Sequence, residues 1–253
     1  MNTEQKLLKN WTDGAQSYSE LIKEELAGFQ RRAWLDVILE NSGRGGHTDP
    51  MNILDVGTGP GFFAIILSLA GHRVRAIDCT EAMIAEARLN AADAGSDAVF
   101  SVSDSHALDF PDASFDLIVS RNVAWTLLDA AKAFAEWRRV LRPGGRVLIF
   151  DANWNLHLFD EERKRAYDAD IATYKKAFDE VPPEHNDEML AYRRSMPMCQ
   201  RRRPQWDLGA LVDAGFVRLE CETNINEQIY DEKSNVLYRS TPMFMIAAQK
   251  AEA

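Results

Sequence analysis

The sequence predicts an α/β protein built on a doubly wound, mostly parallel sheet of seven strands. Three observations carry that reading. Short apolar runs alternate with helical patterns from residue 51 onward, the rhythm of βαβ crossovers. A glycine-rich turn, Gly57-Thr58-Gly59-Pro60-Gly61, follows the first run and opens a buried helix. The chain has 253 residues, 46% of them hydrophobic, enough to cover both faces of such a sheet.

Residues 1–50 read as a helical cap followed by a linker. Ser17 and Glu20 stand at capping-box spacing, and Tyr18, Leu21, Ile22, Leu26, Phe29, Ala33, Val37 and Ile38 recur on one face. The stretch 41–50, NSGRGGHTDP, is expected to be a flexible connection. Residues 51–151 form the central part. A strand over 51–56 leads through the glycine turn into a helix over 62–70, stopped near Gly71. A strand over 74–77 precedes a helix capped by Thr80 and ending before Gly95. Strands follow over 98–102 and 115–120. Asp129 caps a helix through Leu141, Pro143-Gly144-Gly145 breaks it, and 146–150 is the fifth strand. Over 152–205 the rhythm lapses into a polar insertion, read as a lid over the substrate; 161–180 is expected to be helical and SMPMCQRRRP is not. Residues 206–253 complete the same domain. Asp207 caps a helix to Ala214, Gly215 ends it, and 216–221 and 243–248 are the closing strands.

The charge balance excludes one class of partner. With 39 acidic and 29 basic side chains the net charge is −10, which repels a phosphate backbone, so no nucleic acid is expected. Cys79, Cys199 and Cys221 are too few and scattered for a disulfide framework, and no CxxC pair points to zinc. No compact Asp, Asn, His or Cys cluster has metal-ligand spacing, so no metal is expected. The first residues, MNTEQKLLKN, lack the apolar stretch of a signal peptide, and no run approaches the ~18 residues of a membrane span. The expectation is a reduced, soluble, cytoplasmic protein, a monomer or homodimer.

The chemistry concentrates at Leu54-Asp55-Val56-Gly57-Thr58-Gly59-Pro60-Gly61. A P-loop needs Gly-Lys-Ser/Thr after its second glycine, and Phe62-Phe63-Ala64 excludes it. A dinucleotide fingerprint needs a glycine where Phe62 stands, which counts against NAD. The form present is GxGxG preceded by an acid. Further landmarks follow in order: Ala76-Ile77-Asp78, Ser103-Asp104-Ser105-His106, Phe115-Asp116-Leu117-Ile118-Val119-Ser120 and Leu141-Arg142-Pro143-Gly144-Gly145. With these motifs the chain resembles the class I S-adenosylmethionine-dependent methyltransferases, specifically the small-molecule branch with the ubiquinone/menaquinone-type enzymes. The resemblance covers 50–152 well and 206–248 loosely, and implies a Rossmann-like fold with S-adenosyl-L-methionine as cofactor. It implies that Asp78 accepts both ribose hydroxyls and Asp104, with Ser105 or His106 beside it, the adenine amine. Cys79 and Met83 would wall the adenine. Gly57, Thr58, Gly59 and Gly61 would admit the methionine portion, Asp55 would orient its ammonium end, and Arg121 and a Tyr18 lid would complete the cofactor side.

Substrate is expected outside the carboxyl ends of the strands. After the fourth strand, Asn122 is placed to position an acceptor and Trp125 to wall the pocket, although a helix cap and a core tryptophan explain them as well. After the fifth, Asp151, Asn153, Trp154 and His157 gather; Trp154 would line the pocket, and Asp151, Asn153 and His157 are the candidates to bind a polar acceptor or take its proton. His157 is preferred among five histidines; His47 and His185 fall in polar connections. The arginines at 193, 194, 201, 202 and 203 read either as an anion site or as a solvated face. The expected function is in-line methyl transfer to a small-molecule nucleophile, with O, N, S or C as acceptor atom. An RNA or protein methyltransferase and a non-catalytic adenosyl-ligand-binding module are the alternatives.

Overall fold

The computed structural model describes residues 1–43, 49–182 and 187–252. Its seven strands are β1 (Asn52–Val56), β2 (Arg73–Asp78), β3 (Val99–Val102), β4 (Phe115–Arg121), β5 (Leu141–Asp151), β6 (Phe216–Glu222) and β7 (Phe244–Lys250). They lie in one sheet in the order β3-β2-β1-β4-β5-β7-β6. The pairings among β1 to β5 are parallel, and β7 runs antiparallel to both β5 and β6. After β3 the chain returns to the other side of β1, so strand order reverses between β1 and β4. That reversal opens a crevice at the carboxyl ends of the two strands, where ligands bind in open α/β sheets.

Side chains leave the sheet alternately and build two apolar layers. Ile53, Leu117, Val119, Leu148 and Phe150 face a layer that includes helices α1 (Thr3–Ala27), α2 (Gln30–Asn41), α3 (Phe62–Leu69) and α4 (Glu81–Ala94). Leu54, Val56, Ile118, Val147, Ile149 and Ile246 face the other, with α5 (Ala130–Val140). The insertion carries α6 (Glu161–Phe178) and α7 (Asp187–Ser195), and α8 (Gln205–Asp213) leads back to the sheet and joins the second layer. Two short helices, α9 (Asn226–Ile229) and α10 (Glu232–Leu237), lie between β6 and β7. No described helix is long and apolar enough to cross a membrane.

The expected caps at Thr80, Gly95 and Asp129 are present: Thr80 accepts from Met83 N, Asp129 from Lys132 N, and Gly95 is left-handed at φ 71°. Four local expectations are corrected. The N-terminal helix starts at an Asn2–Gln5 capping box, not at Ser17–Glu20. Ser17 lies inside α1, where its hydroxyl donates to Gly14 O at 3.0 Å, and Leu21 and Phe29 are 55% and 52% exposed. Pro143-Gly144-Gly145 does not precede the fifth strand but sits inside β5, at a register step between Phe115 and Leu117 of β4. Asp207 caps nothing; it is buried in α8 against Arg203. Finally, α7 runs to Ser195 and a 3₁₀ turn spans Pro197–Gln200, so part of SMPMCQRRRP is helical. His47, His185 and most of the 41–50 connection lie outside the described residues.

Candidate active site

The crevice holds a cavity of about 330 Å³. Its floor is the turn between β1 and α3. Gly57 and Gly59 adopt left-handed backbone, φ 67° and 52°. A Cβ on Gly57 would stand 2.2 Å from Val123 Cγ2, and one on Gly59 would stand 3.3 Å from Tyr18 Cε1. The turn therefore needs glycine for conformation and for close approach alike. Gly61 follows as the residue that opens α3 and does not line the cavity.

Two carboxylates brace this turn. Asp55, at the end of β1, accepts from Thr58 Oγ1 at 2.6 Å and Ala64 N at 3.1 Å, both through Oδ2. Asp78, at the end of β2, accepts from Gly59 N at 3.1 Å through Oδ2 and from Thr80 N and Oγ1 through Oδ1. Burial raises the Asp78 carboxyl, and the Thr80 and Gly59 donors offset part of that rise. Asp55 is pushed up to about 6 by burial, against the pull of Thr58 and Ala64. The folded protein thus holds the Asp55 proton more tightly than an unfolded chain, whose carboxyl titrates near pH ~4. The stability linked to it is complete below about pH 4 and is lost as pH rises through the folded value, about 3 kcal/mol in all. Asp55→Asn is expected to flatten the fall of urea-unfolding free energy over that interval; an unaltered slope would contradict this.

One wall of the cavity comes from β2, α4 and the segment after β3: Cys79, Met83, Val102, Asp104, Ser105 and His106. The Cys79 thiol is pushed up by burial and by neighbouring Asp78. Asp104 accepts from His106 N at 2.9 Å and lies 2.6 Å from His106 Nδ1, leaving its carboxylate largely exposed at the rim. The opposite side is β4's end. Arg121 pairs with Glu25 of α1 at 2.8 Å, and its guanidinium lies 4.6 Å from the Phe62 ring and 5.4 Å from that of Trp34. Asn122 lines the cavity with a left-handed backbone, φ 59°, and its buried Oδ1 accepts no hydrogen bond. The roof is α1, through Leu7, Leu8, Trp11 and the buried Tyr18, whose hydroxyl burial raises.

The structure thus brings Tyr18, Asp55, Gly57, Thr58, Gly59, Asp78, Cys79, Met83, Asp104, Ser105, Arg121 and Asn122 around one space. It places the residues after β5 elsewhere. Asp151 is fully buried and accepts from Arg203 Nη1 at 2.9 Å, Trp125 N at 2.9 Å and Trp154 Nε1 at 3.0 Å. Asn153 exchanges two bonds with the Arg203 backbone, at 2.6 and 3.0 Å. His157 stacks on Tyr167 at 4.0 Å and an interplanar angle of 2°. None of the three is among the residues that line the cavity; Asp151 and Asn153 are tied to Arg203, and His157 stacks on Tyr167 within the insertion. Trp125 and Trp154 also stand back from the cavity; Trp125 packs between Trp11 and Tyr192, and Trp154 against Tyr238.

The arginines of the insertion do not gather into one anion site. Arg202 pairs with Asp160, Arg201 lies over Trp206, Arg194 donates to Leu158 O and Arg203 is buried. Glu4, Leu7, Leu8, Leu127 and Leu128 line the cavity without having been expected. The Asn2–Gln5 capping box is the signal that extends α1 far enough to bring Leu7, Leu8 and Trp11 over the site.

Comparison with known proteins places this geometry. Residues 54–149 match the family model described as a methyltransferase domain. Demethylmenaquinone methyltransferase of Thermus thermophilus is 35% identical over 123 residues, 48% of this chain and 53% of that protein. Malonyl-acyl-carrier-protein O-methyltransferase of Erwinia billingiae is 35% identical over 136 residues, 53% of this chain and 49% of that one. The chain spans about half the length of the curated relatives it matches. In fold it is similar to phosphoethanolamine N-methyltransferase 2 of Haemonchus contortus, solved with phosphomonomethylethanolamine and S-adenosylhomocysteine. The TM-score is 0.64 at 17% identity, covering 96% of this chain and 59% of that one. Over residues 54–149 the chain is thus similar to methyltransferase domains, and its fold is similar to that of a methyltransferase.

Proposed function

We propose that this protein transfers the methyl group of S-adenosylmethionine to a small-molecule nucleophile. The observation that carries this reading is the Asp78 carboxylate, set against Gly59 N across a glycine turn at the carboxyl ends of β1 and β2. The residues present suit the cofactor. The cradle at Gly57 and Gly59 has no room for a side chain, Asp78 offers acceptors to a diol, and Cys79, Met83 and Val102 offer apolar walls to a planar base. The buried, unpartnered Oδ1 of Asn122 offers an acceptor at the opposite end. About 330 Å³ lies at the lower end of the roughly 300–1,000 Å³ of small-molecule pockets.

Held by Asp78, the Gly57–Gly59 turn and the walls at Cys79 and Met83, the cofactor would supply a methyl group on cationic sulfur for transfer to an acceptor lone pair, the sulfur keeping the electrons of the broken S–CH3 bond. The protein's own part is positioning and exclusion of water. Asp78 and the glycine turn fix one end, Tyr18 and Trp11 cover it, and Arg121 is held rigid by Glu25 and the surrounding rings. The relatives named for demethylmenaquinone and for a malonyl group support small or carrier-borne acceptors. A net charge of −10 supports the same side against nucleic acid.

Calorimetric titration with S-adenosylhomocysteine tests the reading: binding is expected, and none at millimolar ligand would overturn it. Asp78→Asn is expected to weaken that binding by about 10- to 100-fold, since it removes a charge-assisted acceptor. Equal affinities would take the ribose role from Asp78.

A further inference from the structure

The rim of the cavity carries a histidine whose two ring nitrogens are both engaged, each with a different segment of chain. His106, after β3, is among the lining residues. Its Nε2 lies 3.3 Å from Asp129 N, a backbone N–H that can only donate, so Nε2 accepts. The proton of the neutral ring therefore sits on Nδ1, which lies 2.6 Å from Asp104 Oδ1 and donates to it. His106 N donates to the same oxygen at 2.9 Å.

Asp104 is thus held by one oxygen and open at the other. Oδ1 takes two donors of one residue, and Oδ2 takes none among the described residues. The Asp104 side chain is 62% exposed and has little packing to fix it; the His106 side chain, only 18% exposed, supplies the constraint. Burial pushes the Asp104 carboxyl up, but the His106 N–H and ring together hold it below its ordinary value, so it carries charge at neutral pH. Through Nε2 the same ring reaches Asp129, the cap of α5, directly after Leu127 and Leu128 of the cavity lining. Two lining segments are thereby fixed to each other and to the open oxygen.

We propose that His106 is the positioning residue that makes the cavity selective for a base bearing an amino group. It presents Asp104 Oδ2, charged and oriented, to an exocyclic N–H; a base with hydrogen at that place has no donor to meet it. His106 itself gives the ligand no hydrogen bond from its ring, because both nitrogens are taken. The proposal rests on the methyl-donor reading above and deepens it.

The test uses the full chain and two ligands, S-adenosylhomocysteine and its analogue with hydrogen in place of the adenine amine, titrated calorimetrically side by side. The readout is the ratio of the two affinities. Partial unfolding removes competent protein for both ligands alike, so the ratio does not follow a loss of stability. The unaltered protein is expected to prefer S-adenosylhomocysteine about tenfold or more. His106→Phe keeps a ring and removes both nitrogens, and the preference is expected to fall about three- to tenfold. His106→Asn places an amide N–H where Nδ1–H stood and is expected to keep most of the preference, although the link to Asp129 is gone. If S-adenosylhomocysteine does not bind the unaltered protein, the methyl-donor reading falls and the positioning role with it. If it binds, three results overturn the positioning role alone: no preference in the unaltered protein, an undiminished preference in His106→Phe, or an equal loss in His106→Phe and His106→Asn.

Discussion

Arg203→Met is expected to cost about 3–5 kcal/mol of folding stability, the penalty for leaving buried charge without its partner. The Arg203 side chain is 1% exposed and lies between two carboxylates that are fully buried. Its Nε and Nη2 donate to Asp207 at 2.7 to 3.1 Å, and its Nη1 to Asp151 at 2.9 Å. The guanidinium also stands 5.2 Å from the Phe244 ring of β7. One side chain therefore ties the end of the insertion to β5, β7 and α8. Urea unfolding should show the loss as a shifted midpoint with little change in slope. Converting Asp151 and Asp207 to asparagine in the Arg203→Met background should recover much of it, because the stranded charges are then gone. A loss below about 1 kcal/mol would show that the three groups are not the buried network described. Trp125 N–H bonds to Asp151, so the same variant should also loosen the aromatic roof.

Gly57→Ala is the change expected to do most damage to the site itself. The new Cβ would be 2.2 Å from Val123 Cγ2, on a residue with φ 67°. The left-handed backbone costs about 1–2 kcal/mol for an L-side chain, and relief of the overlap about 1–3 kcal/mol more. Either way of relieving it moves the turn that Thr58 N anchors to Ile77 O at 2.9 Å, or the loop that carries Asn122. S-adenosylhomocysteine binding should fall by more than about 100-fold, in the range that misplacing a positioning loop produces. Val123→Ala in the same chain removes the two nearest methyl groups and should restore part of the stability while leaving the backbone penalty. Retained affinity in Gly57→Ala alone would mean that the turn is not the cradle.

What was legible from sequence was what is local. The glycine turn, Asp55, Asp78 and the segment at Asp104 each sit at the end of one strand, and a strand end followed by a turn is visible in a few consecutive residues. The caps at Thr80 and Asp129 are short-range in the same sense. Asp151, Asn153 and His157 stand outside the cavity, and polar residues after a strand look alike whether they meet a ligand or the protein. The partner that decides the matter for Asp151, Arg203, lies 52 residues away, and no local pattern joins them. Ser17 and Glu20 have capping spacing by coincidence within a helix that begins much earlier. Pro143-Gly144-Gly145 looked like a stop because proline cannot donate to a ladder, yet the register step in β4 absorbs it.

The pinning of the insertion at both ends has an evolutionary reading. Asp151 and Asn153 at its start grip Arg203 near its close, so the segment between them is a loop whose ends are already joined. Closing a loop twice as long costs only about 0.6 kcal/mol more. The chain between those anchors is therefore free to be lengthened, trimmed or exchanged with little effect on the sheet, while the strand ends that brace the glycine turn stay as they are. A lineage holding this clasp would alter the surface beside the crevice by replacing a cassette, and keep the crevice itself throughout.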